Sequence, residues 1–420
     1  MGQNTLMHLF SRHASIDLFK YVLKALALAT LVAVLAGSAS ALFLFALDWA
    51  THTREANRWL IWGLPVAGFL VGWVYLKFGQ HVEAGNNLLI DEIHDPKKVV
   101  TLRMAPFVLV STVVSHLFGA SVGREGTAVQ MGGALADQLT HLFKLNATDR
   151  RMVLMAGTSA GFASVFGTPL AGAVFALEVL AIGRMRLDAL LPCVMAAVLA
   201  DQVGLLWGVQ HTQYEVGLVP QITAWLLAAM VLAGAVFGLT GRLFANGTHA
   251  LGDLMKKHIA YAPLRPLLGG ALIAAVVMWG SFDRYIGLGI PVMVEAFAHP
   301  LAPTDFLGKM VFTIASLGSG FKGGEVTPLF FIGATLGNAL APLLDVPFAL
   351  LAAVGFVAVF AGAANTPIAS TLMAMELFGA EIGVFAALAC VMSYVCSGHN
   401  GIYRAQRVAH RKTDAPSQSS

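Results

Sequence analysis

Apolar runs free of Asp, Glu, Lys and Arg recur along the chain, and they fall into two length classes. Residues 25–47, 59–76, 104–123, 152–177, 216–241, 326–344, 346–375 and 382–403 reach or nearly reach the about 20 residues a helix needs to cross a bilayer. Runs at 126–136, 189–200, 202–214, 267–281 and 310–321 are too short to cross alone, and glycine cuts several of them. The long runs read as full spans and the short ones as half-helices packed against others. Non-helical backbone at membrane depth is tolerated only inside protein or along a cavity. The mixture therefore predicts an all-α polytopic membrane protein with broken helices, a transporter or channel.

Composition excludes the other classes. Apolar types make up 57% of the 420 residues and charged types 12%, against about 45–50% and about 25% in a soluble domain. That is too little charge to cover a soluble surface. The net charge of +3, from 26 basic and 23 acidic residues, offers no basic patch for nucleic acid. Cys193, Cys390 and Cys396 lack C-x-x-C spacing and read as small buried hydrophobes. No metal cluster, phosphate loop or nucleophile triad is present, so the sequence implies neither an enzyme nor a cofactor.

Residues 1–24 read as an amphipathic surface helix, because the apolar run that follows exceeds the about 7–15 residues of a signal core. Arg12, Lys20 and Lys24 flank the first span, Lys97, Lys98 and Arg103 follow the second, and Arg404, Arg407, Arg411 and Lys412 close the chain. The positive-inside rule places all three groups, and both termini, in the cytoplasm. The expected division is a surface segment 1–24, a first membrane half 25–208, a second half 216–403 and a short tail 404–420.

The halves repeat. At an offset of 198, Thr168, Pro169 and Glu178 meet Thr366, Pro367 and Glu376. At an offset of 200, Gly123-Arg-Glu-Gly-Thr127 meets Gly323-Gly-Glu-Val-Thr327. Repeat-built transporters place their site near the midplane where the halves meet. Glu178 and Glu376 themselves read as paired structural carboxylates.

Three segments could carry chemistry there. Arg124 and Glu125 sit between glycines and long apolar runs, where a charge costs about 2.5–3.5 kcal/mol on insertion scales. Gly126 and Thr127 would open a helix whose free N–H groups attract an anion, and Glu125 would compete for them until protonated. A plain Arg–Glu structural pair is the alternative. In the second segment Pro328 suits a first helical turn, and the glycines before it would expose the N–H groups of Glu325 and Val326 as an anion nest. Glu325 beside that nest suggests proton coupling; a salt bridge to Lys322 is the bland reading. In the third, Asn86 is either an amide donor to an anion or only a helix cap. Asp91, Glu92 and His94 read as a solvated face. Tyr403 ends the last run as a phenol donor or an interfacial anchor.

With these motifs the chain resembles the CLC family of anion channels and anion/proton antiporters. GREGT at 123–127 is similar to the family's GREGP, GGEVTP at 323–328 to its anion element, and GNN at 85–87 falls where most members carry GSGIP. Tyr403 falls at the family's anion-binding tyrosine. The resemblance implies two inverted helical repeats, a homodimer with one pore per subunit, and an anion cradled near Glu325 and Val326. Asn86 in place of serine, Thr127 in place of proline, Val179 where exchangers keep an internal glutamate, and Glu325 with Thr327 together resemble the fluoride-transporting CLC-F subgroup.

The implied function is a fluoride/proton antiporter of a prokaryotic plasma membrane, exporting fluoride by proton influx. Glu125 would be gate and proton acceptor and Glu325 a second relay. Asn86, Val326, Thr327 and Tyr403 would line the central anion position, Gly126 and Arg124 would support an outer one, and Thr127 would add a hydroxyl. A chloride/proton antiporter or chloride channel on the same fold is the alternative. Implied partners are the anion, protons, lipid and a second copy.

Overall fold

The computed structural model describes residues 3–280 and 282–412, with side chains from residue 16 onward. Sixteen α-helices form among them. The first half holds α1 Gln3–Ala56, α2 Leu64–Phe78, α3 Asn86–His94, α4 Met104–Leu117, α5 Glu125–Phe143, α6 Ala147–Phe166, α7 Pro169–Glu178 and α8 Leu190–Leu206. The second holds α9 Ala224–His258, α10 Leu264–Gly280, α11 Ile290–Ala298, α12 Asp305–Ser319, α13 Val326–Leu344, α14 Phe348–Ala364, α15 Pro367–Phe378 and α16 Gly383–Cys396. Each helix of the first half has its counterpart about 200 positions later, so the repeat read from two short motifs extends through the whole membrane body.

The helix boundaries depart from the charge-free runs for local reasons. The run 152–177 is two helices, not one span. Gly167 turns at φ 70°, and Pro169 starts α7 in the first turn, where its missing N–H costs nothing. Asn365 at φ 58° and Pro367 break 346–375 in the same way. Conversely, the short runs 189–200 and 202–214 are not two half-helices. Residues on both sides of Asp201 join in α8, where Asp201 is buried and receives Gln202 Nε2 at 3.2 Å. At the other end of the chain, α1 runs unbroken from Gln3 into the first span.

Helices meet at backbone distance where glycines face each other. A side chain on Gly157 of α6 would lie 2.5 Å from the Gly132 carbonyl of α5, and Gly333 of α13 is equally blocked by Gly355 of α14. These are the G-x-x-x-G positions, which let packing replace a hydrophobic drive that lipid does not supply. Phenylalanines fill the core between the halves. Phe166 meets Phe330 edge-on at 5.0 Å between centroids, and Phe162 stacks on Phe360 at 6.4 Å. Cys193 and Cys390 are fully buried and Cys396 partly so.

The carboxylates of Glu178 and Glu376 do not pair with each other. Glu178 accepts the N–H groups of Ile368 and Ala369, at 3.1 and 2.8 Å, from the first turn of α15. Glu376 accepts those of Leu170 and Ala171, both at 2.8 Å, from the first turn of α7. Each half thus caps the other's half-helix and satisfies donors that no water reaches in the bilayer.

The chain after Tyr403 folds back onto the membrane body. Arg407–Val408 pairs in parallel with Ala181–Ile182 as a two-stranded ribbon. Gln406 donates to the carbonyls of Val179 and Ala364 at 2.9 and 3.0 Å. Lys412 donates to the Tyr394 carbonyl and Asn365 Oδ1, both at 2.6 Å, and to the Gly398 carbonyl. Residues 413–420 of the expected tail lie outside the described residues.

Candidate functional site

The two Gly-Glu loops of the repeat meet head to tail. Gly123 N–H donates to the Gly324 carbonyl at 2.5 Å, and Gly324 N–H returns to the Gly123 carbonyl at 2.8 Å. This antiparallel bridge sets the N-termini of α5 and α13 beside each other at the centre of the protein, as an inverted repeat requires. Only glycine fits. A side chain on Gly324 would stand 2.8 Å from the Gly126 nitrogen, and one on Gly123 would stand 2.9 Å from the Pro328 ring.

Glu125 opens α5, yet its fully buried carboxylate rests on the start of α13. Thr327 donates its backbone N–H to Oε2 at 3.0 Å and its hydroxyl to the carboxylate at 2.6 Å. The Arg124 N–H adds a donor at 3.2 Å, and the Arg124 guanidinium stands 3.4 Å from Oε1. The Arg–Glu pair therefore exists but is secondary: the best donors come from the opposite repeat. A carboxylate so held stands in for an anion at a helix N-terminus, where free N–H groups and the helix dipole favour negative charge.

Glu325 is the N-cap residue of α13, and its Oε2 is buried without a hydrogen-bond partner. No salt bridge links it to Lys322, whose ammonium lies 4.3 Å above the Tyr75 ring. The space a side chain on Gly126 would take is bounded by Asn86 Nδ2 at 3.0 Å, the Gly324 Cα at 3.1 Å and Glu325 Oε2 at 3.7 Å. Asn86, Gly126 and Glu325 therefore enclose one small polar gap, and Asn86 Oδ1 is also buried and unpartnered. Asn86 is not the cap of α3. Gly85, at φ 59°, takes that position and makes Asn86 the first helical residue, freeing its amide for the gap.

Thr127 turns away from Glu125 and shares a hydrogen bond with Thr112 at 2.8 Å. Tyr403 is buried, not an interfacial anchor. Its ring packs edge-on against Phe175 at 6.4 Å, and its hydroxyl binds no protein group among the described residues. The adjacent Ala405 N–H donates to Asn87 Oδ1 at 2.9 Å, which ties the Tyr403 segment to the start of α3. Asn87 belongs to the GNN motif, whereas Thr112 carries no sequence signal and only its placement beside Thr127 reveals it. Glu92 and His94 are likewise not a solvated face. Glu92 bonds Arg150 at 3.0 Å, and His94 meets the Leu180 carbonyl at 2.8 Å.

Two vestibules approach this centre. One, of about 790 Å³, lies at the C-terminal end of α1 and is lined by Arg54, Arg58, Arg124, Asp283 and Gly289. The other, of about 800 Å³, lies at the far end of α2 and is lined by Asn86, Thr127, Lys322, Glu325 and Tyr403. Fifteen residues of α2 separate the two ends, about 22 Å at 1.5 Å per residue. Arg124 lines the first and Thr127 the second, so the buried Glu125 between them in sequence lies between the two cavities.

Comparison with known proteins agrees with this geometry. The family model described as voltage gated chloride channel matches residues 67–398. A protein of Pseudomonas syringae pv. tomato named chloride/fluoride channel protein is 66% identical over 417 residues, covering 98% of this chain and 92% of its own. The crystal structure of a CLC-type fluoride/proton antiporter superposes with a TM-score of 0.89 at 34% identity, covering 92% of this chain and 98% of that one. That of a slow cyanobacterial chloride/proton antiporter, at 21% identity, shares the fold with a TM-score of 0.78 over 90% and 96%. The broken helices, the paired Gly-Glu loops and these matches converge: the chain is a multi-pass membrane transporter belonging to the voltage gated chloride channel family, the CLC proteins.

Proposed function

We propose that this chain is a secondary active fluoride/proton antiporter that exports fluoride as protons enter. The observation that carries the reading is the Glu125 carboxylate on the Thr327 donors of α13. A proton arriving by the Arg124 vestibule neutralises Glu125 and weakens its hold on those donors. Fluoride then takes them in its place, and the protonated side chain moves aside. Return of Glu125 to the α13 N-terminus, with release of its proton, resets the neck.

Fluoride is small, strongly hydrated and a strong acceptor, so a site must repay its lost water with strong donors. Thr327 supplies a hydroxyl and an N–H, Val326 an N–H, Asn86 an amide and Tyr403 a phenol. Gly126 leaves the gap between Asn86 and Glu325 free. Glu325, when protonated, donates to the anion or to the unpartnered Asn86 Oδ1, and so serves as the second proton station. Arg124 steadies Glu125 on the outer side, and Thr127, bonded to Thr112, holds the start of α5. The resemblance to the fluoride/proton antiporter and the residue set at 86, 127, 325 and 327 support fluoride over chloride. The proposal includes a homodimer in the plasma membrane, with both termini cytoplasmic by the positive-inside rule.

Efflux from proteoliposomes loaded with either halide tests the reading. Fluoride is expected to leave faster than chloride by about ten-fold or more, about 1.4 kcal/mol of discrimination. Its efflux is also expected to drive proton uptake. Equal chloride flux would move the assignment to a chloride transporter on the same fold.

A further inference from the structure

The inner vestibule carries a cation that the gate mechanism does not use. It is lined by Lys256, Arg265, Lys322 and Arg404 against Glu83, Asp253 and Glu325. Arg404 is held by Asp253 at 2.8 Å, Arg265 donates to the carbonyls of Ile259 and Ala260, and Lys256 is exposed at the rim. Lys322 is different. Among the described residues no carboxylate pairs with its ammonium, which rests over the Tyr75 ring while Glu83 faces it from the turn before α3. It projects from the same glycine loop as Glu325, between Gly320 at φ 101° and the Gly323-Gly324 bridge. The two loops of the inverted repeat therefore each send one cation toward one vestibule: Arg124 toward the outer, Lys322 toward the inner.

We propose that Lys322 is the anion-capturing residue of the inner mouth, drawing the halide from the vestibule to the neck that Asn86, Glu325 and Tyr403 line. The inference rests on the transport reading above and names a residue for its first step. A cation lying over an aromatic face is held by the ring's quadrupole and needs no acid partner. That leaves the ammonium available to a passing anion, where an ion-paired lysine would not be. Low-dielectric walls focus such a charge into the cavity and raise the local anion concentration.

The test is the initial rate of fluoride efflux against internal fluoride concentration for wild type, Lys322→Met, Lys322→Gln and Lys322→Arg in proteoliposomes. At low ionic strength Met and Gln are expected to raise the half-saturating concentration about three-fold or more, three-fold being the factor one charge about 6 Å away contributes in water. The plateau rate is expected to stay within about two-fold. Sodium gluconate at about 1 M shortens the screening length to about 3 Å and should erase the difference. Arg should behave as wild type.

An unchanged half-saturation would overturn the proposal. So would a lost plateau, or a defect that neither salt removes nor Arg rescues, since each marks a structural role for the Tyr75 contact. If the wild type moves chloride in place of fluoride, the antiporter reading fails by itself. The same titration run with chloride then decides on Lys322 independently.

Discussion

Glu125→Gln is expected to stop coupled proton movement while leaving the fold intact. Gln matches Glu in size, and its carbonyl still accepts from Thr327, so the neck stays filled and the helix start stays satisfied. What is lost is the ability to take a proton and so to exchange a charged plug for a neutral one. Proton uptake driven by a fluoride gradient should fall about a hundred-fold or more, within the range a positioned proton-transfer group contributes. Fluoride movement should become slow and uncoupled. A pH-sensitive dye with a fluoride electrode on the same proteoliposomes reads both fluxes. Unchanged coupling would remove Glu125 from the proton path and leave its contact with Thr327 purely structural.

The second large effect is on stability. Glu178→Ala removes the acceptor of two N–H groups, Ile368 and Ala369, that open α15 away from water. Each buried donor left unmade costs about 1–3 kcal/mol, so a loss of about 2–6 kcal/mol is expected for the two. Glu178→Gln keeps one amide oxygen in place and should lose less. Glu376→Ala should behave alike, because it accepts the two first-turn N–H groups of Leu170 and Ala171 in the same way. Denaturation midpoints of the purified protein measure all three. An Ala variant as stable as wild type would mean that the half-helices need no cap from the opposite repeat.

Fold class was legible because the bilayer imposes one rule on every span. Charge-free length reveals membrane segments, and short runs reveal breaks. The halves were legible from two motifs because polar residues at matched offsets are rare in apolar filler. Helix limits were not legible from charge. Gly167 and Asn365 break apolar runs by backbone geometry, and Asp201 sits inside α8 without ending it. A run without charges is a statement about solvent, whereas a helix end is a statement about φ and caps.

The site divides in the same way. Residue types at 86, 125, 325, 327 and 403 suggested one anion chemistry, and the structure sets Asn86, Glu325 and Tyr403 along one vestibule and Glu125 on Thr327. The partners did not follow from spacing. Glu125 meets Thr327 across 202 positions, Thr127 bonds Thr112 and not the gate, and Lys322 lies on Tyr75 and not Glu325. Local pattern names the donors; only the inverted packing of the halves says which of them share an acceptor.

If Glu125 and the halide compete for the donors of α13, then binding one must displace and protonate the other. Adding sodium fluoride to weakly buffered, detergent-solubilised protein near neutral pH should therefore raise the pH, with about one proton taken up per fluoride bound, by linkage. Glu125→Gln should bind fluoride without that uptake. Fluoride binding to the wild-type protein with no proton taken up would contradict the account.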